Sequence, residues 1–245
     1  MNKTSIVRNI FDAKRIVVKI GSSLLVDTKT GLLRTTWLRA LAQDIKRFRD
    51  RGQEIIIVSS GAVALGRNYL DIHSPELRLE EKQAAAAAGM VRLAHAYQEA
   101  FENYKITIAQ ILLTRDDSEN RRRYLNARST LMTLLKLGSI PLINENDTVA
   151  TEEIRFGDND RLAARVGAMI SADLLILLSD IDGLYSSDPN KNSNAKLVPE
   201  VSDITMEIES MAGEAQSNLS SGGMVTKILA AKECLAAGCS MLIAR

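Results

Sequence analysis

Carboxylate and amide side chains crowd into one stretch near the middle of this 245-residue chain, INENDTVATEEIRFGDND at residues 143–160. The stretch carries six acidic residues and three asparagines against a single arginine, and its two densest clusters are Asn144–Asp147 and Asp158–Asp160. Such oxygen-rich clusters can hold a metal ion, an organic cation or a polar substrate. Their spacing matches no metal-site motif, so we predict no metal site formed by the protein itself.

Two lysines occupy positions at which an unpaired charge is costly. Lys19 lies in the otherwise apolar run RIVVKI, and Lys227 lies in the first turn of a helix that we expect to follow Gly222-Gly223. Burying a lysine costs free energy unless it is paired, and the start of a helix disfavours a cation. Both positions are explained if an anion lies between the lysines, and the N–H groups at that helix start suit a phosphate chain. For Lys227, a solvated surface position is the alternative.

Short apolar runs alternate along the chain with longer helical stripes, which predicts an α/β fold. Predicted strands cover residues 15–20, 54–58, 106–113, 140–144, 173–179 and 239–244, and predicted helices cover about 35–51, 77–104, 122–137, 160–170 and 223–237. In the first of these helices, Thr35 is a candidate N-cap and Gly52 a candidate C-terminal residue. Most of the strand runs lack polar alternation, as strands covered on both faces do. We therefore predict a three-layer αβα sandwich around a mostly parallel open sheet.

Polar or glycine-rich segments follow four of the predicted strands. They are Lys19–Ser23, Ser59–Ala62, Asn144–Asp147 and Ser179–Gly183. Ligands of open α/β sheets bind beyond the carboxyl ends of the strands. One such segment would be weak support for a site, because surface loops also favour Gly and Ser. Four segments at one edge of a sheet predict a ligand site there.

The common nucleotide-binding motifs are absent or incomplete. No G-x-G occurs, which excludes the dinucleotide-binding fingerprint. The segment from Gly61 to Asn68 is close to a P-loop, but Arg67 and Asn68 replace the lysine and hydroxyl residue that such a loop requires. We therefore exclude a P-loop ATPase and predict that Gly61 and Gly66 serve a tight turn into a helix.

Composition excludes several classes of protein. The formal charge of +1 argues against an extended nucleic-acid-binding surface, and no apolar run approaches the roughly 20 residues of a membrane span. The N-terminal residues lack the apolar segment of a signal peptide, and Cys234 and Cys239 stand in no metal-ligand spacing. We expect a cytoplasmic protein with reduced thiols.

Several other segments have a structural interpretation. Ala84–Ala88 predicts close helix packing, which could be at a subunit interface, and simple helix filler is the alternative. Tyr185–Lys196 predicts an excursion that is not a domain boundary. Arg121–Arg123 predicts a solvated, salt-bridged helix start, with RNA binding as a minor alternative. We assign no chemical role to His73, expected in a loop, or to His95, expected on a helix surface.

Taken together, the motifs KIGSS, VSSGAVALGR, INENDTVATEEIRFGDND, LLSDIDGLYSSDP and SSGGMVTK resemble those of the amino acid kinase family. The resemblance spans about residues 14–245, and its specific part is the pair NENDTVA and GDND. It implies the amino acid kinase fold and ATP-dependent phosphorylation, with Mg²⁺, of the γ-carboxylate of L-glutamate. The product would be γ-glutamyl phosphate, in the first step of proline synthesis.

The resemblance also implies roles for individual residues. Lys19 would contact the transferred phosphoryl group, Lys227 would share that task, and the acids near the reaction centre would be Asp158 and Asp160, with Asp160 organising the two lysines. The glutamate-binding residues would be Ser60, Asp147 and Asn159. The ATP-binding residues would be Lys19, Ser179, Asp180, Ser221, Gly222, Gly223, Met224, Val225, Thr226 and Lys227. Residues 148–157 would form a lid or hairpin over the glutamate.

Partners and domain organisation follow from the same resemblance. It implies proline as a feedback inhibitor, a homodimer or homotetramer, and one kinase domain over 1–245, with glutamate bound by about 1–170 and ATP by about 171–245. We expect no C-terminal RNA-binding-like (PUA) domain, no nucleic-acid binding and no membrane contact. The alternatives are a kinase of a related acceptor such as N-acetylglutamate, or a catalytically silent amino-acid sensor. Asp147 argues against the acetylated acceptor, which has no ammonium for a carboxylate to pair.

Overall fold

Six parallel strands form the central sheet of the computed structural model, which describes residues 10–149, 151, 158–213 and 223–245. In chain order they are β1 (Arg15–Ile20), β2 (Glu54–Ser59), β3 (Ile108–Leu113), β4 (Ile140–Glu145), β5 (Leu174–Leu178) and β8 (Ser240–Ala244). Two short strands outside this sheet, β6 (Leu184–Tyr185) and β7 (Leu197–Val198), pair antiparallel. The order across the sheet is β3-β4-β2-β1-β5-β8.

The helices lie between and beside the strands. In chain order they are α1 (Ser22–Leu25), α2 (Thr35–Asp50), α3 (Ala62–Tyr69), α4 (Leu79–Glu102), α5 (Arg115–Glu119), α6 (Arg121–Lys136), α7 (Asn159–Ile170), α8 (Met206–Met211) and α9 (Met224–Ala236). Every predicted strand and every predicted long helix is present, with ends shifted by at most two residues. The elements that were not predicted, α1, α5, α8 and the β6-β7 pair, are too short to show a periodic pattern.

Alternate residues of the central strands enter two separate cores. In β1, Ile16, Val18 and Ile20 pack into one core, while Val17 packs into the other, because successive side chains of a strand point to opposite faces. The first core is closed by α2, α3 and α4, and the second by α6, α7 and α9. The predicted three-layer αβα sandwich is confirmed.

Of the two predictions for the ends of α2, the one for its C-terminal end is confirmed and the one for its N-cap is wrong. Gly52 is confirmed as the residue that ends it, with a left-handed φ of +82°. Thr35 is not the N-cap, because the helix already begins at Thr35 and Arg34 stands in the capping position without a side-chain hydrogen bond. The cause is tertiary: the bridge between Val26 and Leu33, together with the bond from Arg34 N–H to the Leu25 carbonyl, fixes where the helix starts.

Several smaller predictions are also confirmed. The segment 185–196 leaves and returns through the β6-β7 pair, as an excursion does. Arg123 lies at the start of α6 within 3.9 Å of Asp116 and 3.5 Å of Asp117, and it is exposed. His95 is exposed on α4, as expected. Among the helices that the structure describes, none combines the length and apolar character needed to span a bilayer.

Gly66 and Gly89 allow α3 and α4 to touch backbone to backbone. A Cβ atom on Gly66 would lie 1.7 Å from the Ala85 carbonyl oxygen, and one on Gly89 would lie 1.8 Å from that of Ala62. Within the tract Ala84–Ala88, Ala85 lies at this contact and is buried, as is Ala86, whereas Ala84 and Ala87 are exposed. The turn predicted for Gly61 is confirmed, since Gly61 precedes α3 with a φ of +97°, but the turn predicted for Gly66 is wrong, because Gly66 lies inside α3 and serves this helix contact. The contact also fixes α3, whose first residues border the site described below.

Gly66→Ala should destabilise the fold by more than about 3 kcal/mol, because the added methyl group fits only if two helix backbones separate. Gly52→Ala is a matched control, since its φ is also positive but its Cβ would meet no atom within 4 Å. We expect that control to lose about 1–2 kcal/mol from backbone strain alone. Urea unfolding followed by circular dichroism measures both values, and equal losses would contradict the packing explanation.

Candidate active site

A cleft of about 1090 Å³ opens at the carboxyl ends of β1, β2, β4 and β5. All four of the segments predicted to meet at this edge contribute to its lining, for example through Gly21, Ser60, Asn144 and Ser179. The predicted place of the ligand site on the sheet is therefore matched by a real cavity. His73, in a loop as expected, also borders this cleft, which the sequence did not indicate, and its imidazole lies 3.0 Å from the Asp71 carboxylate.

Two buried lysines bracket one buried carboxylate at the inner end of the cleft. The Lys19 Nζ lies 2.5 Å from Asp160 Oδ1, and the Lys227 Nζ lies 3.0 Å from Asp160 Oδ2. Lys19 is 6% exposed, Lys227 is 4% exposed and Asp160 is fully buried. The predicted contact of Asp160 with both lysines is present, and the surface alternative for Lys227 is wrong. We call these three residues the lysine–aspartate bridge.

Each member of the bridge is positioned by a different element. Lys19 lies near the carboxyl end of β1, Asp160 in the first turn of α7 and Lys227 in the first turn of α9. The start of α7 favours an acid, and Asp160 in turn offsets the unfavourable position of Lys227 at the start of α9. An ammonium has three N–H donors, so both lysines can bind an anion in the cleft while keeping their contact with Asp160.

The pKa values of the neighbouring aspartates Asp158 and Asp160 are shifted in opposite directions. Burial by itself would raise the pKa of Asp160, but the charges of Lys19 and Lys227 outweigh it and hold the pKa below its usual value. Burial and the negative charge of Asp160 raise the pKa of Asp158. Asp158 is also the N-cap of α7, because its Oδ1 accepts a hydrogen bond from the Asp160 N–H at 3.1 Å.

Asn159 joins the ends of two strands to the start of α7. Its Nδ2 donates to the Ser59 carbonyl at 2.8 Å, to the Ser60 Oγ at 2.9 Å and to the Asn144 Oδ1 at 3.3 Å. The opposite orientation of the amide would place its oxygen against two acceptor oxygens, so these contacts determine the orientation. An NH₂ group has two hydrogens, so its donor capacity is used within the protein.

The remaining acids of the central stretch lie around this junction. Asp147, half-buried, follows β4 and lines the cleft. Glu145, at the end of β4, also lines the cleft although it is only 5% exposed. Sequence reasoning gave no role to Glu145, because a carboxylate at a strand end cannot be distinguished from its neighbours by type alone.

Apart from the two lysines, the described residues that were predicted to bind ATP either follow β5 or begin α9. Ser179 follows β5 and its Oγ donates to Asp180 Oδ1 at 3.1 Å, and both residues line the cleft. Thr226 donates to the Gly223 carbonyl at 2.7 Å, which closes the first turn of α9. Gly223 is the N-cap of α9, and Met224 and Val225 are half-buried in its first turn.

Some predictions fall outside the residues that the structure describes. They are the nucleotide-binding roles of Ser221 and Gly222, and most of the predicted lid, at residues 150 and 152–157.

Comparison with known proteins identifies relatives over nearly the whole chain. The chain is 66% identical over 233 residues to a glutamate 5-kinase of Paramagnetospirillum magneticum, covering 95% of this chain and 63% of that protein. It is 61% identical over 228 residues to a glutamate 5-kinase of Rhodospirillum rubrum, covering 93% and 61%. The chain thus spans about three fifths of the length of the curated relatives it matches.

Solved structures show the same fold at low sequence identity. UMP kinase from Ureaplasma parvum superposes with a TM-score of 0.64 at 14% identity, covering 95% of this chain and 89% of that one. Carbamate kinase from Giardia lamblia bound to AMP-PNP gives 0.64 at 16% identity, covering 96% and 93%. The model of the Amino acid kinase family matches residues 14–245. The sheet, the cleft at its edge and this match over nearly the whole length agree: the chain belongs to the amino acid kinase family.

Proposed function

We propose that this protein transfers the γ-phosphoryl group of ATP to the γ-carboxylate of L-glutamate, giving γ-glutamyl phosphate and ADP. The observation that carries the proposal is the lysine–aspartate bridge, which places two cations at the inner end of a cleft that Ser60, Asp147 and Asn159 also border. Relatives at 66% and 61% identity are named glutamate 5-kinase, which supports the choice of acceptor.

The two cations fit the electrostatic demand of this reaction. A glutamate γ-oxygen attacks the γ-phosphorus while the bond from that phosphorus to the bridging oxygen of ADP breaks, so two anions must be brought together and aligned. Lys19 and Lys227 would stabilise the equatorial oxygens of the transferred group. A carboxylate with a free pKa of about 4.3 is already ionised at neutral pH, so no general base is needed.

Asp160 and Asp158 would have different tasks. Asp160 would hold the two ammonium groups at a fixed separation. Its negative charge would also offset their mutual repulsion, which would otherwise destabilise the fold. Its ionised state agrees with its lowered pKa. Asp158 would fix the start of α7 through its cap and add negative charge beside the reaction centre.

For the substrate ammonium, Asp147 and Asn159 offer acceptor oxygens. Because the two hydrogens of the Asn159 Nδ2 are shared among three protein acceptors, the remaining group of this amide is its carbonyl oxygen. A carbonyl oxygen can accept a hydrogen bond from the substrate ammonium but cannot donate one to the α-carboxylate, so Asn159 would bind the ammonium.

On the ATP side, Ser179, Asp180 and residues 221–227 would hold the nucleotide. Among residues 10–149, 151, 158–213 and 223–245 there is no group of three or more His, Cys, Asp or Glu side chains arranged to hold a metal ion. Mg²⁺ would therefore enter with the ATP phosphates, where it would neutralise phosphate charge.

The proposal extends to the partners of the protein and to the parts of the chain that bind each substrate. Residues up to about 170 would bind glutamate and the remainder ATP, with both parts contributing strands to one sheet. Proline would compete with glutamate, the chain would act as a homodimer or homotetramer, and the protein would work in the cytoplasm.

A substrate panel tests the proposed function. ADP formation is measured with glutamate, N-acetylglutamate, aspartate or uridylate, and hydroxylamine traps any acyl phosphate as a hydroxamate. We expect turnover and hydroxamate with glutamate far above the other three. Turnover that does not depend on glutamate would contradict the proposal, and no turnover with any acceptor would favour a silent sensor.

Asp147→Ala should raise the KM for glutamate by about 10- to 100-fold, the range expected when a hydrogen bond to a charged group is lost. The KM for ATP should change little. Asp180→Ala is the reciprocal variant, since it removes an acid on the nucleotide side and should act on the KM for ATP. Steady-state kinetics with each substrate varied in turn measures both, and equal effects of Asp147→Ala on the two KM values would make Asp147 structural.

A further inference from the structure

Tyr97 carries a hydroxyl group into an otherwise apolar core. It lies in α4, is fully buried, and belongs to the core between α2, α4 and the sheet. Burial raises the pKa of Tyr97, so the hydroxyl keeps its proton. Its oxygen lies 3.0 Å from the Oγ of Ser59, which is also fully buried, at the end of β2. A phenyl ring would fill the same space, so only the hydroxyl explains a tyrosine here.

The hydrogen bond to Ser59 continues into the cleft. The Ser59 Oγ donates to the Ser60 carbonyl at 3.3 Å, and the Ser59 carbonyl accepts from Asn159 Nδ2 at 2.8 Å. The same Nδ2 reaches the Ser60 Oγ at 2.9 Å. The end of β2 is therefore held by Asn159 from the cleft side and by Tyr97 from the core side, just before Gly61 turns the chain into α3 with a φ of +97°.

We propose that Tyr97 is a positioning residue for the acceptor pocket: acting through Ser59, it sets the orientation of Ser60 and Asn159 without touching the substrate. This inference rests on the proposed function, because Ser60 and Asn159 are the groups assigned to glutamate. The Lys19 side chain approaches Asp160 from β1 and has no part in this hydrogen-bonded path. The effect should therefore fall on glutamate binding and not on ATP.

Tyr97→Phe tests the role of the hydroxyl alone. We expect the KM for glutamate, and the dissociation constant for glutamate measured by calorimetry without ATP, to rise roughly fivefold, the value of one ordinary hydrogen bond. The KM for ATP and kcat should stay near the wild-type values. Tyr104→Phe is the matched control, since Tyr104 packs partly buried against the same core but lies beyond the end of α4, and it should leave all four quantities unchanged.

Ser59→Ala removes the other partner of the same hydrogen bond, and it provides the test if Tyr97→Phe does not fold. It should raise the KM for glutamate at least as much, and the double variant should match Ser59→Ala alone, because Tyr97 acts through Ser59. A wild-type KM for glutamate in Tyr97→Phe, equal rises in both KM values, or additive effects in the double variant would overturn the inference. A wild-type protein without glutamate-dependent turnover would instead overturn the proposed function.

Discussion

Lys227→Ala should lower kcat for glutamate-dependent ATP turnover by about 10²–10³-fold, as when one preorganised charge-stabilising donor is removed. Lys227 is 4% exposed and its Nζ lies 3.0 Å from Asp160, so water cannot easily replace it as a fixed cation. The charge that it would stabilise is largest in the transition state, so kcat should fall more than the KM for ATP rises.

Lys232→Ala is the matched control for this variant. Lys232 lies on the same helix, α9, but it is partly exposed, and its Nζ lies 2.7 Å from the Glu209 carboxylate on α8. Surface ion pairs of this kind contribute about 0–1 kcal/mol, so kcat and stability should stay close to wild type. A wild-type kcat for Lys227→Ala, in a protein with an unchanged circular dichroism spectrum, would remove Lys227 from the mechanism.

The sheet was predictable because its four inner strands, β4, β2, β1 and β5, are buried along most of their length. Runs such as RIVVKI and EIIIVS are apolar almost throughout, and that pattern together with the intervening helical stripes leaves few possible topologies. The parallel order also brings four polar segments to one edge, so the place of the site could be predicted. What the pattern could not supply was the start of α2, which depends on a bridge between Val26 and Leu33.

The two lysines could be recognised from sequence because each violates a local rule. Lys19 interrupts an apolar strand, and Lys227 opposes the dipole of α9, so both positions require a nearby anion. One anion that meets this requirement belongs to the protein itself: the carboxylate of Asp160, which contacts both lysines from another element. Residue types alone do not distinguish a protein carboxylate from a bound phosphate.

Hydrogen bonds between distant residues account for the rest of the site. The donor group of Asn159 is used by Ser59, Ser60 and Asn144, and Tyr97 reaches Ser59 across 38 residues of sequence. A tyrosine on the buried face of a helix has the same pattern whether or not its hydroxyl has a partner. Only the three-dimensional contact separates a core residue from a positioning residue.

Asp160→Asn should lower the free energy of unfolding by about 3–5 kcal/mol at pH 7, because it leaves two buried ammonium groups without their shared counter-charge. Activity should fall with it, since Lys19 and Lys227 would then repel each other. Denaturant unfolding gives the stability, and ADP formation gives the activity. Asparagine has almost the volume of aspartate, so the loss cannot be attributed to a cavity.

The pH dependence separates this effect from a general packing defect. The pKa of Asp160 is lowered in the folded protein, so its contribution to stability is fully present above its ordinary pKa of 3.8 and is lost as the pH falls through the lowered value. The gap in stability between wild type and Asp160→Asn should therefore be largest near neutral pH and should narrow below about pH 4. A gap that stays constant across this range would contradict the electrostatic explanation.

Asp158→Asn is the control, because removing this charge should not lower the stability of the fold. The pKa of Asp158 is raised, so its ionised form is disfavoured in the folded state and weakens the fold above its ordinary pKa of 3.8. Asparagine keeps the oxygen that caps α7 and removes the charge, so the variant should be as stable as wild type at pH 7, or more stable. The same substitution would then lower the stability at Asp160 but not at Asp158, although the two residues are only two positions apart. Equal destabilisation by both would mean that the start of α7 tolerates no change there, and that the lysine–aspartate bridge has no special part in stability.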